Sequence, residues 1–182
     1  MKKTDKKKGG SSSQYRWAFT VFLMAVVMSA VLSLVSESIL AGAGMAVALL
    51  ILAGFICLGI LFDIIGVATT AADPKPFHSM AAHKEKGAKE ALRLLRNASR
   101  VSSVCNDVVG DICGIVSGAT GAVIVTQLQR AFNMQTVLLS VAVTALVSGL
   151  TIGGKALSKT FAMKQSTRVV YLAGRFLHLF HR

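Results

Sequence analysis

Four stretches of the chain carry no charged side chain: residues 17 to 36, 38 to 62, 112 to 129 and 131 to 154. An α-helix needs about 20 residues at 1.5 Å per residue to cross a hydrocarbon core of about 30 Å, and each run is close to that length or longer. The pattern predicts four transmembrane helices, over about 17–38, 44–69, 102–128 and 134–154. Ser36-Glu37-Ser38 and the small residues from Ala41 to Gly44 suit a tight turn between the first two, and the last two turn between Gln127 and Gln135. The fold class is therefore an all-α integral membrane protein.

Two polar segments have helical periodicity of a different kind. Between the second and third runs, Ala88, Ala91, Leu92 and Leu95 fall on one face, while Lys84, Lys89, Glu90, Arg93 and Arg96 take the other. Pro74 and Pro76 open this region in extended or turn conformation, and Gly87 separates a helix around 77–84 from a second around 88–97, giving a helix pair over about 77–98. After the last run, Val169, Leu172, Phe176 and Leu179 form one stripe and Arg168, Arg175 and Arg182 another, which predicts an interfacial amphipathic helix over about 156–181.

Charge adds orientation. The chain has 182 residues, 53% of them apolar, with 20 Lys+Arg against 8 Asp+Glu. So apolar a sequence excludes a soluble catalytic domain or a nucleic-acid binder of the same charge. Six basic residues precede the first span, seven lie between the second and third, six run from Lys155 to Arg182, and Arg130 alone is left for the opposite side. The positive-inside rule then puts both termini and the central loop in the cytoplasm of a multi-pass cell-membrane protein. Residues 1–15 read as a flexible basic arm in contact with water and anionic lipid, and 16–182 as a single transmembrane domain. A cleaved signal peptide ending at Ala41-Gly42-Ala43 is the alternative reading of the start. A 20-residue apolar core exceeds the usual ~7 to 15, and Trp17 begins it as an interfacial anchor, which favours an uncleaved helix.

The candidate chemistry is acidic. A charge at the centre of a membrane helix costs about 3 kcal/mol and needs a partner or an aqueous cavity. Asp63 lies late in the second apolar run, and Asp107 and Asp111 follow Asn106 four residues apart on one face of the third. Asp63, Asn106, Asp107 and Asp111 form a candidate oxygen-lined site for a hard divalent cation such as Mg2+. The competing reading places these acids near the cytoplasmic helix ends, in reach of water, Arg100, Lys155 or one another. Gly110, Gly114, Gly118 and Gly121 offer a small face for packing inside the bundle or for a dimer seam. His78 and His83, five apart, point to different faces, and Cys57, Cys105 and Cys113 have neither disulfide nor zinc spacing.

From Phe62 onward the chain resembles the transmembrane domain of the cyclin M and CorB/CorC magnesium transport proteins. The residues that carry the likeness are Phe62-Asp63, then Lys75, Phe77, Gly87-Ala88, Leu92-Arg93-Leu94-Leu95, Asn97 and Arg100, and finally Gly154, Lys159, Thr160, Ala162 and Arg168-Val169. They cover about two-thirds of the chain in the family's order and spacing. The resemblance implies a dimeric transmembrane domain with an acidic, inward-open magnesium site, and it also implies where this chain departs. Asp63 stands at the serine of the family's F-S-x-x-E and Gly66 at its glutamate; Lys155 stands at the glutamate of G-E-x-x-P-K and Ser158 at its proline. Asn106 comes about three residues before the asparagine that begins the family's next span. The family's nucleotide-binding pair does not follow within this sequence, so regulation would fall to a separate partner protein. The expected function is divalent cation transport with a degenerate ion site. The alternative is a non-transporting scaffold or partner subunit, with Asp63 paired to Lys155 across the altered site. No grouping of nucleophile, base and orienting acid marks an enzyme.

Overall fold

The computed structural model describes residues 11–40, 42, 44–132 and 137–180. Most of the basic arm, Ala41 and Ala43 of the first turn, residues 133–136 of the second and the last two residues lie outside the described residues. The described chain is helical without strands: α1 (Ser11–Leu40), α2 (Met45–Ala71), α3 (Lys75–Ala82), α4 (Ala88–Arg96), α5 (Ala98–Ser103), a π-helical segment (Val104–Gly110), α6 (Asp111–Phe132), α7 (Val137–Lys164) and α8 (Ser166–Phe180). The segment from Ala98 to Phe132 is helical throughout, so four helices of 26, 27, 35 and 28 residues are long and apolar enough to cross a membrane.

Local chemistry sets the breaks. α2 stops at Ala72, two residues before Pro74, whose ring disfavours helix in the residue it follows. Asp73 Oδ1 accepts a hydrogen bond from the Lys75 backbone N–H at 3.0 Å, and Pro74 and Pro76 start α3 where a missing N–H costs nothing. Gly87, at φ 87°, caps α4 in the left-handed region that glycine enters freely. α1 begins at Ser11, so residues 11–15, expected in the arm, belong to the first helix. Nothing between Ser11 and Trp17 breaks a helix once it has formed.

The other correction is at the far end. The helix expected to start near 156 starts at Ser166, because α7 runs on through Lys164. Ala156, Leu157, Lys159, Ala162, Met163 and Lys164 are strong helix formers, and helical bonds persist across the bend, from Gln165 N to Phe161 O and from Val169 N to Gln165 O. The bend lets Ala162 and Val170 enter the same core from two sides.

α2 is the hub of the packing. Ala48 and Leu52 meet Ile124 of α6 and Val147 of α7 toward one end. At the other, Ala68 joins Phe77, Ala91, Ala162 and Val170, all fully buried, which ties α3, α4, α7 and α8 to the bundle. α1 lies on the outside, with Val21, Met24, Ala25, Met28 and Leu32 against Val108, Ile112 and Val116. Its exposed Phe19, Phe22, Val27, Val31 and Leu34 suit contact with hydrocarbon.

Candidate functional site

Helix arithmetic places three charges in one layer. Asp63 follows Met45 by 18 residues, Lys155 follows Val137 by 18, and Asp111 precedes Phe132 by 21, so each lies ~27 to 32 Å from the sparsely charged end of its helix. That is close to the full thickness of a hydrocarbon core, and the layer lies at the end of the bundle that carries the basic helices.

Within the layer the side chains have unequal surroundings. The Lys155 ammonium donates to the Gly110 carbonyl at 3.3 Å and stands 3.8 Å from Asp111 Oδ1. Asp111 is exposed and Lys155 half-buried. Asp63 is 3% exposed, and its Oδ2 has no hydrogen-bond partner. Lys155 therefore pairs with Asp111 rather than with Asp63. The space above Gly110 nevertheless separates the two groups, since a Cβ there would lie 3.5 Å from Lys155 Nζ and 3.7 Å from Asp63 Oδ1. Both groups thus approach the same point, at distances an alanine there would still accommodate.

One turn away, Asn106 fills the space beside Gly66, where any Cβ would collide with its amide. Asn106 Nδ2 donates to Ser102 Oγ at 3.2 Å, and its Oδ1 is buried without a partner. The π-helical segment carries Asn106 toward α2 and leaves Asp107 outward; such one-residue widenings re-aim side chains and occur often at functional sites. Asp107 accepts a hydrogen bond from Ser103 Oγ at 2.7 Å on the exposed side. Ser158 is buried and donates to the Lys155 carbonyl at 2.8 Å.

The four candidate oxygen ligands thus divide. Asp63 and Asn106 face the joint between α2 and the π-helical segment, whereas Asp107 and Asp111 face outward. Among the described residues no three His, Cys, Asp or Glu side chains gather closely enough to hold a metal ion. The donor set is two orphaned buried oxygens and the Gly110 carbonyl, with Lys155 beside them. It fits a cation in donor type and falls short in number of anionic ligands. The glycine stripe divides as well: Gly110 and Gly121 have neighbours within the bundle, and Gly114 and Gly118 have none within 4 Å. Cys105 and Cys113 are buried free thiols and Cys57 is an exposed one.

Two contacts here carry no sequence signature. His178 Nδ1 meets Glu90 Oε1 at 3.2 Å, joining α8 to α4 across 88 residues. A Cβ at Gly174 would lie 2.6 Å from the Gly87 carbonyl and 2.8 Å from the Ala91 nitrogen, so the two helices cross at backbone distance. The class the described residues define is an all-helical bundle with four helices that are, by length and composition, able to cross a membrane, and one polar layer at its basic end. No family model, curated protein or solved structure matches the chain.

Proposed function

We propose that this is a multi-pass cell-membrane protein related in layout to the cyclin M and CorB/CorC transmembrane domains, with a weakened site for magnesium or another divalent cation as cargo. Both termini and the α3–α4 region face the cytoplasm, which puts the polar layer at the inner surface. The observation that carries the reading is the pair of buried, unpartnered oxygens, Asp63 Oδ2 and Asn106 Oδ1, at one helix joint. Leaving such an oxygen unsatisfied costs about 1 to 3 kcal/mol, more for a charged group, and a bound cation offsets that cost. The Asn106 amide lies beside Gly66, where the family resemblance implies a glutamate, so a neutral oxygen replaces an anionic one.

Lys155 sets the weakness. Its ammonium is a tethered cation beside the Gly110 carbonyl and opposes a divalent ion entering near Asp63. Magnesium sheds water reluctantly and prefers several anionic oxygens, so it binds here partly hydrated. The Lys155–Asp111 ion pair favours a second reading, a non-transporting scaffold or partner subunit in which the lysine substitutes permanently for the ion.

Thermal unfolding of the purified protein across a magnesium series separates the two, because a ligand selective for the folded state raises Tm. Under the cation reading wild type shows a small rise and Lys155→Glu a larger one, with affinity gained by about tenfold or more. A flat response from both proteins supports the scaffold and rules out cation binding.

A further inference from the structure

The cleft between the α3–α4 turn and α8 lies outside the polar layer. It encloses about 310 Å3 and is lined by Lys84, Lys86, Lys89, Glu85, Glu90 and His178. That volume is at the lower end of ligand-binding clefts, about 300 Å3, and suits a polar headgroup rather than a whole lipid.

The turn geometry brings the cations together. Lys84 holds φ 57° and Gly87 φ 87°, so the chain reverses twice within four residues and sets Lys84 and Lys86 beside Lys89 in the first turn of α4. The close Gly87–Gly174 crossing fixes α8 as the opposite wall. Of the two carboxylates present, Glu90 is held by His178 at 3.2 Å, and the three lysines outnumber the two acids in the lining by one. The first turn of α4 adds its partial positive charge to the same end, its Ala88 and Ala91 N–H groups being bonded to the Glu85 and Gly87 carbonyls. We propose that this cleft binds a phosphate monoester dianion. Two negative charges on one phosphorus offset the mutual repulsion of the lysines, which a singly charged phosphodiester does only in part.

The neighbourhood favours a lipid headgroup as the source. On the face of α8 turned away from the cleft, Leu172 and Leu179 are 63% and 74% exposed, with Arg168 and Arg175 at their flank, as in a helix lying at a membrane surface. Basic pockets on that side of a membrane commonly take phosphorylated headgroups.

Calorimetric titration of the full chain in neutral detergent tests this with three probes: dihexanoyl phosphatidic acid as the monoester, dihexanoyl phosphatidylglycerol as the diester, and glycerol 3-phosphate as the soluble monoester. The monoester lipid is expected to bind about tenfold tighter than the diester. Combined Lys84→Gln, Lys86→Gln and Lys89→Gln should abolish that preference, while Lys75→Gln, Lys159→Gln and Lys164→Gln, which remove the same charge elsewhere on the basic side, preserve it. Glycerol 3-phosphate binding as tightly as phosphatidic acid supports the site and assigns it to soluble phosphate monoesters. Equal affinity for monoester and diester, binding by none of the probes, or equal loss in both triple variants overturns the proposal.

Discussion

At the scale of single residues, Asp63 and Lys155 define an asymmetry that the sequence could not reveal. Both lie in charge-poor runs, so opposite charge alone predicts that they pair; the geometry gives Lys155 to Asp111 and leaves Asp63 Oδ2 without a partner. The failure has a physical cause, because pairing depends on which helix faces meet, and a π-helical segment upstream of Asp111 shifts those faces by a residue without marking the sequence. A buried carboxylate in this state makes Asp63→Asn neutral or stabilising, by about 1 to 3 kcal/mol, when magnesium is chelated. In excess magnesium the advantage should vanish or reverse. Melting temperatures in the two conditions check this, and a destabilised Asp63→Asn under chelation would show that Asp63 is already satisfied. Gly66 sets a related limit: Gly66→Glu would displace Asn106, so restoring an acid there should destabilise the fold even where it adds charge for a cation.

At the scale of elements, hydrophobic runs reveal cores of helices better than ends. Lys155 reads as a boundary because it is charged, yet helix propagation ignores one lysine and continues to Lys164. Gly87 between α3 and α4 was legible because the left-handed turn requires it, whereas the Gly87–Gly174 crossing joins residues too far apart in sequence for any periodicity to connect. Gly174→Leu should therefore undock α8 from α4 at a cost of about 2 kcal/mol or more, measurable as faster amide exchange in residues 166–180 with the apolar spans unaffected. Unchanged exchange would contradict the crossing. The same interface responds to pH. Glu90 is held below the usual carboxylate value of 4.5, first by its own backbone N–H, against the opposing effect of burial, and further by His178 and Arg93. A carboxyl with a depressed folded-state pKa contributes stability fully present above its unfolded value and lost as pH falls through the folded one. α8 should thus loosen below about pH 4.5, and Glu90→Gln should remove that step from the exchange profile.

At the scale of the whole molecule, charge asymmetry is the basis of the proposed orientation. Single cysteines at Glu85 and Arg130 in a cysteine-free background should label oppositely with an impermeant reagent, with only position 130 reacting in intact cells. Labelling at position 85 would invert the topology. Association of two copies through the open face of α6 is the proposal that Gly118 tests. With nothing within 4 Å of it, Gly118→Leu leaves the subunit intact and should weaken a dimer on crosslinking if that face joins two chains. Lys155 and the bend at Gln165 belong to one uninterrupted helix, with ~13 Å of rod between the lysine and Lys164. A rod transmits tilt as a lever does, so pivoting it by about ten degrees at the polar layer would sweep its far tip, and α8 with it, through ~2 Å. Under the proposed cation reading, an ion entering beside Lys155 would tilt this rod and shift α8, and a fluorophore on α8 would register events at a lysine it never touches.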